Sequence, residues 1–135
     1  MKRQILVSAA LTAGMTVLTL GAFVGSASAA ADTPDGKKWY IGNGDSWGHV
    51  VFDDSNGGDD RDDLCLTDHL SPAGTSVGLT VKFGSWKKSV HAYNGETSCI
   101  SLPSSFTNGD TAYFDACGWD NGNQVFCRET TKVVE

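Results

Sequence analysis

Residues 53–65 read DDSNGGDDRDDLC, and the stretch from Asp53 to Asp63 holds six aspartates and one arginine. Calcium takes about six to eight oxygen ligands, often several carboxylates from one loop. Asp53, Asp54, Asp59, Asp60 and Asp62 are the candidate ligands, and Gly57-Gly58 would let the backbone fold back to present carbonyls. The spacing is not that of an EF-hand, because the twelfth position from Asp53 or Asp54 falls on Leu64 or Cys65 rather than on Glu. The competing reading is a solvated hairpin tip whose charge opposes edge pairing and aids solubility. No cofactor is expected beyond this candidate calcium.

Other chemistry finds less support. His49, His69 and His91 sit on three different segments, so a histidine-based zinc site would need long-range convergence. There is no G-x-S-x-G elbow, and the serines, though many, sit in no recognisable nucleophile motif. Paired carboxylates could hydrolyse glycosides, but acids this dense lie near one another by chance. No catalytic residue is assigned, and the expectation is a protein that is not an enzyme. The aromatics offer a better binding clue. Trp47 in NGDSWGH, Trp86 in FGSWKKS and Trp119 in CGWDNGN each stand beside turn residues. Tryptophan brings large contact area at low entropy cost, which suits protein or sugar recognition. The alternative for each indole is the core, which a small domain must fill with its large side chains.

The elements that would position these residues begin after an export signal. Residues 1–29 start with Lys2 and Arg3, continue through an apolar run and end in small residues, and cleavage after Ala29 fits the A-x-A rule. Such a cut leaves 106 residues, enough for one domain with a modest core. Residues 30–37 read as a flexible leader and residues 38–135 as a single β-domain. The cut removes two basic residues, so eight Lys and Arg face sixteen Asp and Glu, a net charge of −8. That sign disfavours nucleic acid and anionic membranes as partners. The protein is expected to be secreted, extracellular and monomeric.

Cys65, Cys99, Cys117 and Cys127 are an even set in an exported domain, which implies two disulfides. Four cysteines allow three pairings. A hairpin centred on Gly122 would set Cys117 opposite Cys127, which leaves Cys65 for Cys99. Zinc spacing of the C-x₂₋₄-C type is absent.

Asn-Gly occurs at 43–44, 56–57, 94–95, 108–109 and 121–122. Both residues tolerate positive φ, so the pair suits a type I′ turn and predicts hairpins. SVGLTVKF, 76–83, sets Val77, Leu79, Val81 and Phe83 on one face, and TAYFDAC, 111–117, does the same with Ala112, Phe114 and Ala116. Period two with one apolar face predicts half-buried strands. Shorter candidates are 38–42, 48–52, 63–67, 88–93, 98–102 and 124–134. The fold class is therefore all-β: an antiparallel β-sandwich, or a small barrel, of seven or eight short strands.

The Ala-rich signal, LCLTDHLSPAGTSVGLTV and FDACGWDNGNQVFC together resemble small exported proteins of Streptomyces-like actinobacteria. The resemblance covers residues 50–130 and implies export without implying an activity. The Streptomyces α-amylase inhibitors share size, export and two disulfides, but their Trp-Arg-Tyr triplet is missing here and the cysteine spacing differs. The reading that remains is a non-catalytic binding module for an extracellular protein or glycan, with a hydrolase inhibitor as one form of it. The alternative is a calcium-dependent structural or adhesive domain built on Asp53–Asp63. Lys87-Lys88 could orient an acidic partner or blunt a strand edge.

Overall fold

The computed structural model describes residues 31–42, 46–55, 61–69 and 73–135. The expected signal segment, the Asn-Gly pairs at 43–44 and 56–57, and Asp59 and Asp60 lie outside the described residues. Among the described residues nine strands run β1 Lys38–Ile41, β2 Gly48–Ser55, β3 Arg61–Asp68, β4 Thr75–Phe83, β5 Trp86–Ala92, β6 Thr97–Ser101, β7 Thr111–Asp120, β8 Asn123–Cys127 and β9 Thr131–Val134. They form two antiparallel sheets. Sheet A has the order β1-β2-β3-β6, and sheet B the order β5-β4-β7-β8, with β9 also pairing to β7.

Alternation decides which side of each strand is buried. Ile41, Val50, Phe52, Leu64, Leu66 and Ile100 of sheet A face Val77, Leu79, Val81, Ala112, Phe114 and Ala116 of sheet B, all almost fully buried. Trp39 crosses between the layers and packs edge-on against Phe114, with ring centroids 5.1 Å apart. β3 leaves sheet A toward β4 and β6 leaves it toward β7 at opposite ends, because the two strands are antiparallel, with Thr67 opposite Thr97 and Asp63 opposite Ser101. Residues 33–37 are tied to the sandwich: Thr33 exchanges hydrogen bonds with Val134, and the Gly36 amide donates to the Phe52 carbonyl at 2.8 Å.

Both expected disulfides form. Cys65 and Cys99 are register partners on β3 and β6, and Cys117 and Cys127 on β7 and β8. All four point away from the core, so the bridges pin strand register on the outer faces and do not join the two layers. Closing the 34-residue separation between Cys65 and Cys99 stabilises the domain by roughly 3–4 kcal/mol through loss of unfolded-chain entropy.

Three expectations are refined. Asn121-Gly122 closes the β7–β8 hairpin with φ of 47° and 78°, as the turn chemistry requires. Asn94-Gly95 also has positive φ at both residues but makes a corner that carries the chain from sheet B to sheet A. The stretch 124–134, read as one strand, is two. At Arg128–Thr130 the regular pairing to β7 is interrupted, although the Arg128 amide still donates to the Ala116 carbonyl at 2.8 Å. The Arg128 guanidinium donates to the Tyr40 carbonyl at 3.0 Å and to Thr131 Oγ1 at 3.1 Å. A single polar triplet thus divides the edge of β7 between β8 and β9.

Phe114 joins the two layers through Trp39. Phe114→Ala is expected to destabilise the disulfide-bonded protein by about 3–5 kcal/mol. Urea unfolding checks this, and a loss below about 1 kcal/mol would mean that the layers do not pack through this ring.

Candidate functional site

The three tryptophans proposed for binding occupy different environments. Trp47 is half-buried, lies edge-on to Phe126 at 5.1 Å and packs against the core. A groove of about 490 Å³ opens beside it, between Tyr40, Phe126 and Arg128. Trp86 starts β5 after the two-residue turn at Gly84-Ser85 and also packs against the core. Trp119 stands on the outer face of sheet B, where a hollow of about 410 Å³ is lined by His91, Tyr93, Trp119, Ser76, Thr75 and Asn94.

The hollow follows from register. Gly78 on β4 has His91 of β5 on one side and Cys117 of β7 on the other, and Ser76 stands opposite Trp119. A Cβ at position 78 would lie 2.9 Å from Trp119 Nε1 and 3.0 Å from His91 Cε1. Glycine is therefore the residue that lets the indole and the imidazole close over the strand. His91 meets Trp119 at 5.5 Å between ring centroids and stacks on Tyr93 at 6.1 Å. Trp119 Nε1 is buried and has no hydrogen-bond partner among the described residues. The pairing of β7 with β8 shifts register between Gly118 and Trp119. Such a bulge re-aims the adjoining side chains. Tyr93 remains about half exposed. The result is a shallow aromatic surface with hydroxyl and amide groups on its rim, suited to a flat apolar face that carries polar edges.

The groove at Trp47 is the poorer site although it is slightly larger. Its indole is engaged by Phe126, and its Arg128 is already spent on Tyr40 and Thr131.

The acidic stretch divides. Asp54 and Asp62 are register partners on the side of β2 and β3 that faces the other sheet, whereas Asp53 and Asp63 are partners on the opposite side. Asp54, Asp62 and Glu135 bring carboxylate oxygens within 4.8 Å of one another, and Asp62 is buried. The Asp54 amide donates to Asp35 Oδ1 at 3.1 Å. Glu135 comes from beyond β9, and no local pattern links it to residues 53–63. The histidines also behave in a way that spacing does not reveal. His49 and His69 meet edge-to-face at 4.7 Å on sheet A, and His91 belongs to the aromatic hollow.

Below the hollow, Asp115 points outward from β7. Thr130 Oγ1 donates to its Oδ1 at 2.5 Å, and Lys82 Nζ lies 3.1 Å from its Oδ2. The Thr130 hydroxyl and then the lysine hold the Asp115 carboxyl below its ordinary pKa, against a partial opposing effect of burial. A lowered folded-state pKa stabilises the fold above the unfolded value, and the contribution is lost as pH falls through the folded one.

Comparison with protein-family models, with curated proteins and with solved structures finds no match. Removing the hydroxyl that bonds Asp115 is expected to raise its pKa: in Thr130→Val the carboxyl carbon, followed by NMR, should titrate at higher pH than in the parent. An unchanged titration would mean that Thr130 does not hold the carboxylate.

Proposed function

We propose that the domain is an exported, non-catalytic binding module that recognises a glycan through the aromatic hollow at Trp119. The observation that carries this reading is the convergence of Trp119, His91 and Tyr93 over Gly78 on an open sheet face. A pyranose ring has an apolar face of C–H groups and an equatorial rim of hydroxyls. The face stacks on the rings, whose negative π clouds attract C–H edges, and the rim meets Ser76, Thr75 and Asn94. Two disulfides agree with an oxidising compartment, where such bonds persist. Among the described residues no helix is long and apolar enough to cross a membrane.

The second reading, a calcium-dependent structural or adhesive domain, would use Asp54, Asp62 and Glu135. Three carboxylates this close repel one another, and a divalent cation would relieve that repulsion.

Two measurements separate these readings. In native gels cast with soluble polysaccharides, the glycan reading predicts retarded migration of the parent. It predicts free migration of Trp119→Ala and of Tyr93→Ala, the latter losing a half-exposed ring. If no polysaccharide slows the parent, the glycan reading is wrong. For calcium, a site filled at a hundredfold excess over Kd adds about 2.7 kcal/mol. That raises Tm by roughly 10 °C or more in a domain of this size. A melt that is the same in calcium and in EDTA removes the second reading.

A further inference from the structure

The outward residues of sheet B continue well past the hollow. Outward positions recur every two residues along each strand, and their partners form rows across the sheet. On β4 and β7, Ser76 stands opposite Trp119, Gly78 opposite Cys117, Thr80 opposite Asp115 and Lys82 opposite Tyr113. The neighbouring strands extend these rows. Ser89 pairs with Thr80 and Lys87 with Lys82, while Lys132 pairs with Tyr113. The face therefore grades from aromatic rings, through hydroxyls, to a row of three lysines around the half-exposed ring of Tyr113. Trp119 and Tyr113 lie six positions apart on β7, roughly 20 Å at about 3.3 Å per residue.

We propose that this face binds an extended anionic glycan, with sugar rings against Trp119 and Tyr93 and acidic groups against Lys82, Lys87 and Lys132. The proposal rests on the glycan-binding reading above and adds the charge and the reach of the ligand.

Charge distribution supports it. The whole chain carries −6. The strands of sheet A hold Lys38 and Arg61 against Asp53, Asp54, Asp62, Asp63 and Asp68, a balance of −3. The strands of sheet B hold Lys82, Lys87, Lys88 and Lys132 against Asp115 and Asp120, a balance of +2. Asp115 is the one carboxylate at an outward position of sheet B among the described residues, and Lys82 and Thr130 already engage it. A polyanion is thus repelled by sheet A and attracted to one face, which complements it in both sign and shape. A nucleic acid fits less well. Single-stranded binders interleave cations with stacking rings along the whole backbone, whereas here the cations stand together at the end far from Trp119.

The test is a comparison of affinities for the disulfide-bonded protein. Polygalacturonate, dextran sulfate and a phosphate-linked teichoic acid represent the three acidic groups, and neutral dextran and β-glucan are the controls. At least one acidic polymer should bind about tenfold tighter than the neutral ones, and its chemistry identifies the acid. That binding should weaken severalfold as ionic strength rises from about 0.02 M to about 0.3 M, where screening is short-ranged. A protein carrying Lys82→Gln, Lys87→Gln and Lys132→Gln should stay folded, by its melt, and lose about fivefold or more for the acidic polymer alone. Equal binding of neutral and acidic polymers, untouched by the lysine changes, would overturn this inference and leave the glycan reading standing. Absence of binding to every polymer would overturn both. Tighter binding of a single-stranded oligonucleotide than of any glycan would replace the ligand class.

Discussion

The pairing of β4 with β7 is the constraint on which the rest of the structure depends. One register, Leu79 opposite Ala116 and Gly78 opposite Cys117, settles both faces of sheet B at once. Inward it lays Val77, Leu79 and Val81 against the other layer. Outward it sets Ser76 beside Trp119 and Lys82 beside Tyr113. A slip by one residue would exchange the two sets, exposing the core and burying Lys82 and Asp115. The apolar inner face makes that slip costly, so burial of the core also holds the outer face in place. The arrangement of side chains on this face is a by-product of how the core is packed.

The two disulfides reinforce the same principle from outside. Each bridges register partners on an outer face, so each fixes a strand pair against sliding while the side chains beneath do the packing. Cys117–Cys127 lies one row from Trp119, and the register shift beside Trp119 falls within that bridged hairpin. The indole is therefore carried on a short, cross-linked ribbon, and glycine at position 78 gives it room. A rigid aromatic platform loses little entropy when it meets a ligand.

Much of this was legible in the sequence because it is local. Alternation in 76–83 and 111–117 gave the two central strands, and Asn121-Gly122 gave a hairpin that brought Cys117 and Cys127 together. What was not legible depends on which strands become neighbours. Asn94-Gly95 has the turn chemistry of a hairpin, yet it turns a corner because β6 finds its partner in β3. The break at Arg128–Thr130 reflects the reach of one arginine to Tyr40 across the sandwich edge. The lysine row draws Lys82, Lys87 and Lys132 from three strands, and the cluster of Asp54, Asp62 and Glu135 joins residues from distant parts of the chain. Trp47 and Trp86 carry the same turn signals as Trp119. Only the direction of each side chain relative to the core separates them.

Recognition, as proposed, belongs to the outer face of sheet B. Amide chemical-shift mapping of the labelled protein during titration with polygalacturonate or dextran sulfate tests it most directly. The account predicts that shifts form one band, running from Ser76 and Trp119 past Thr80 and Asp115 to Lys82 and Tyr113, while sheet A stays still. Shifts gathered on β2 and β3, or around the groove at Trp47 and Arg128, would contradict it.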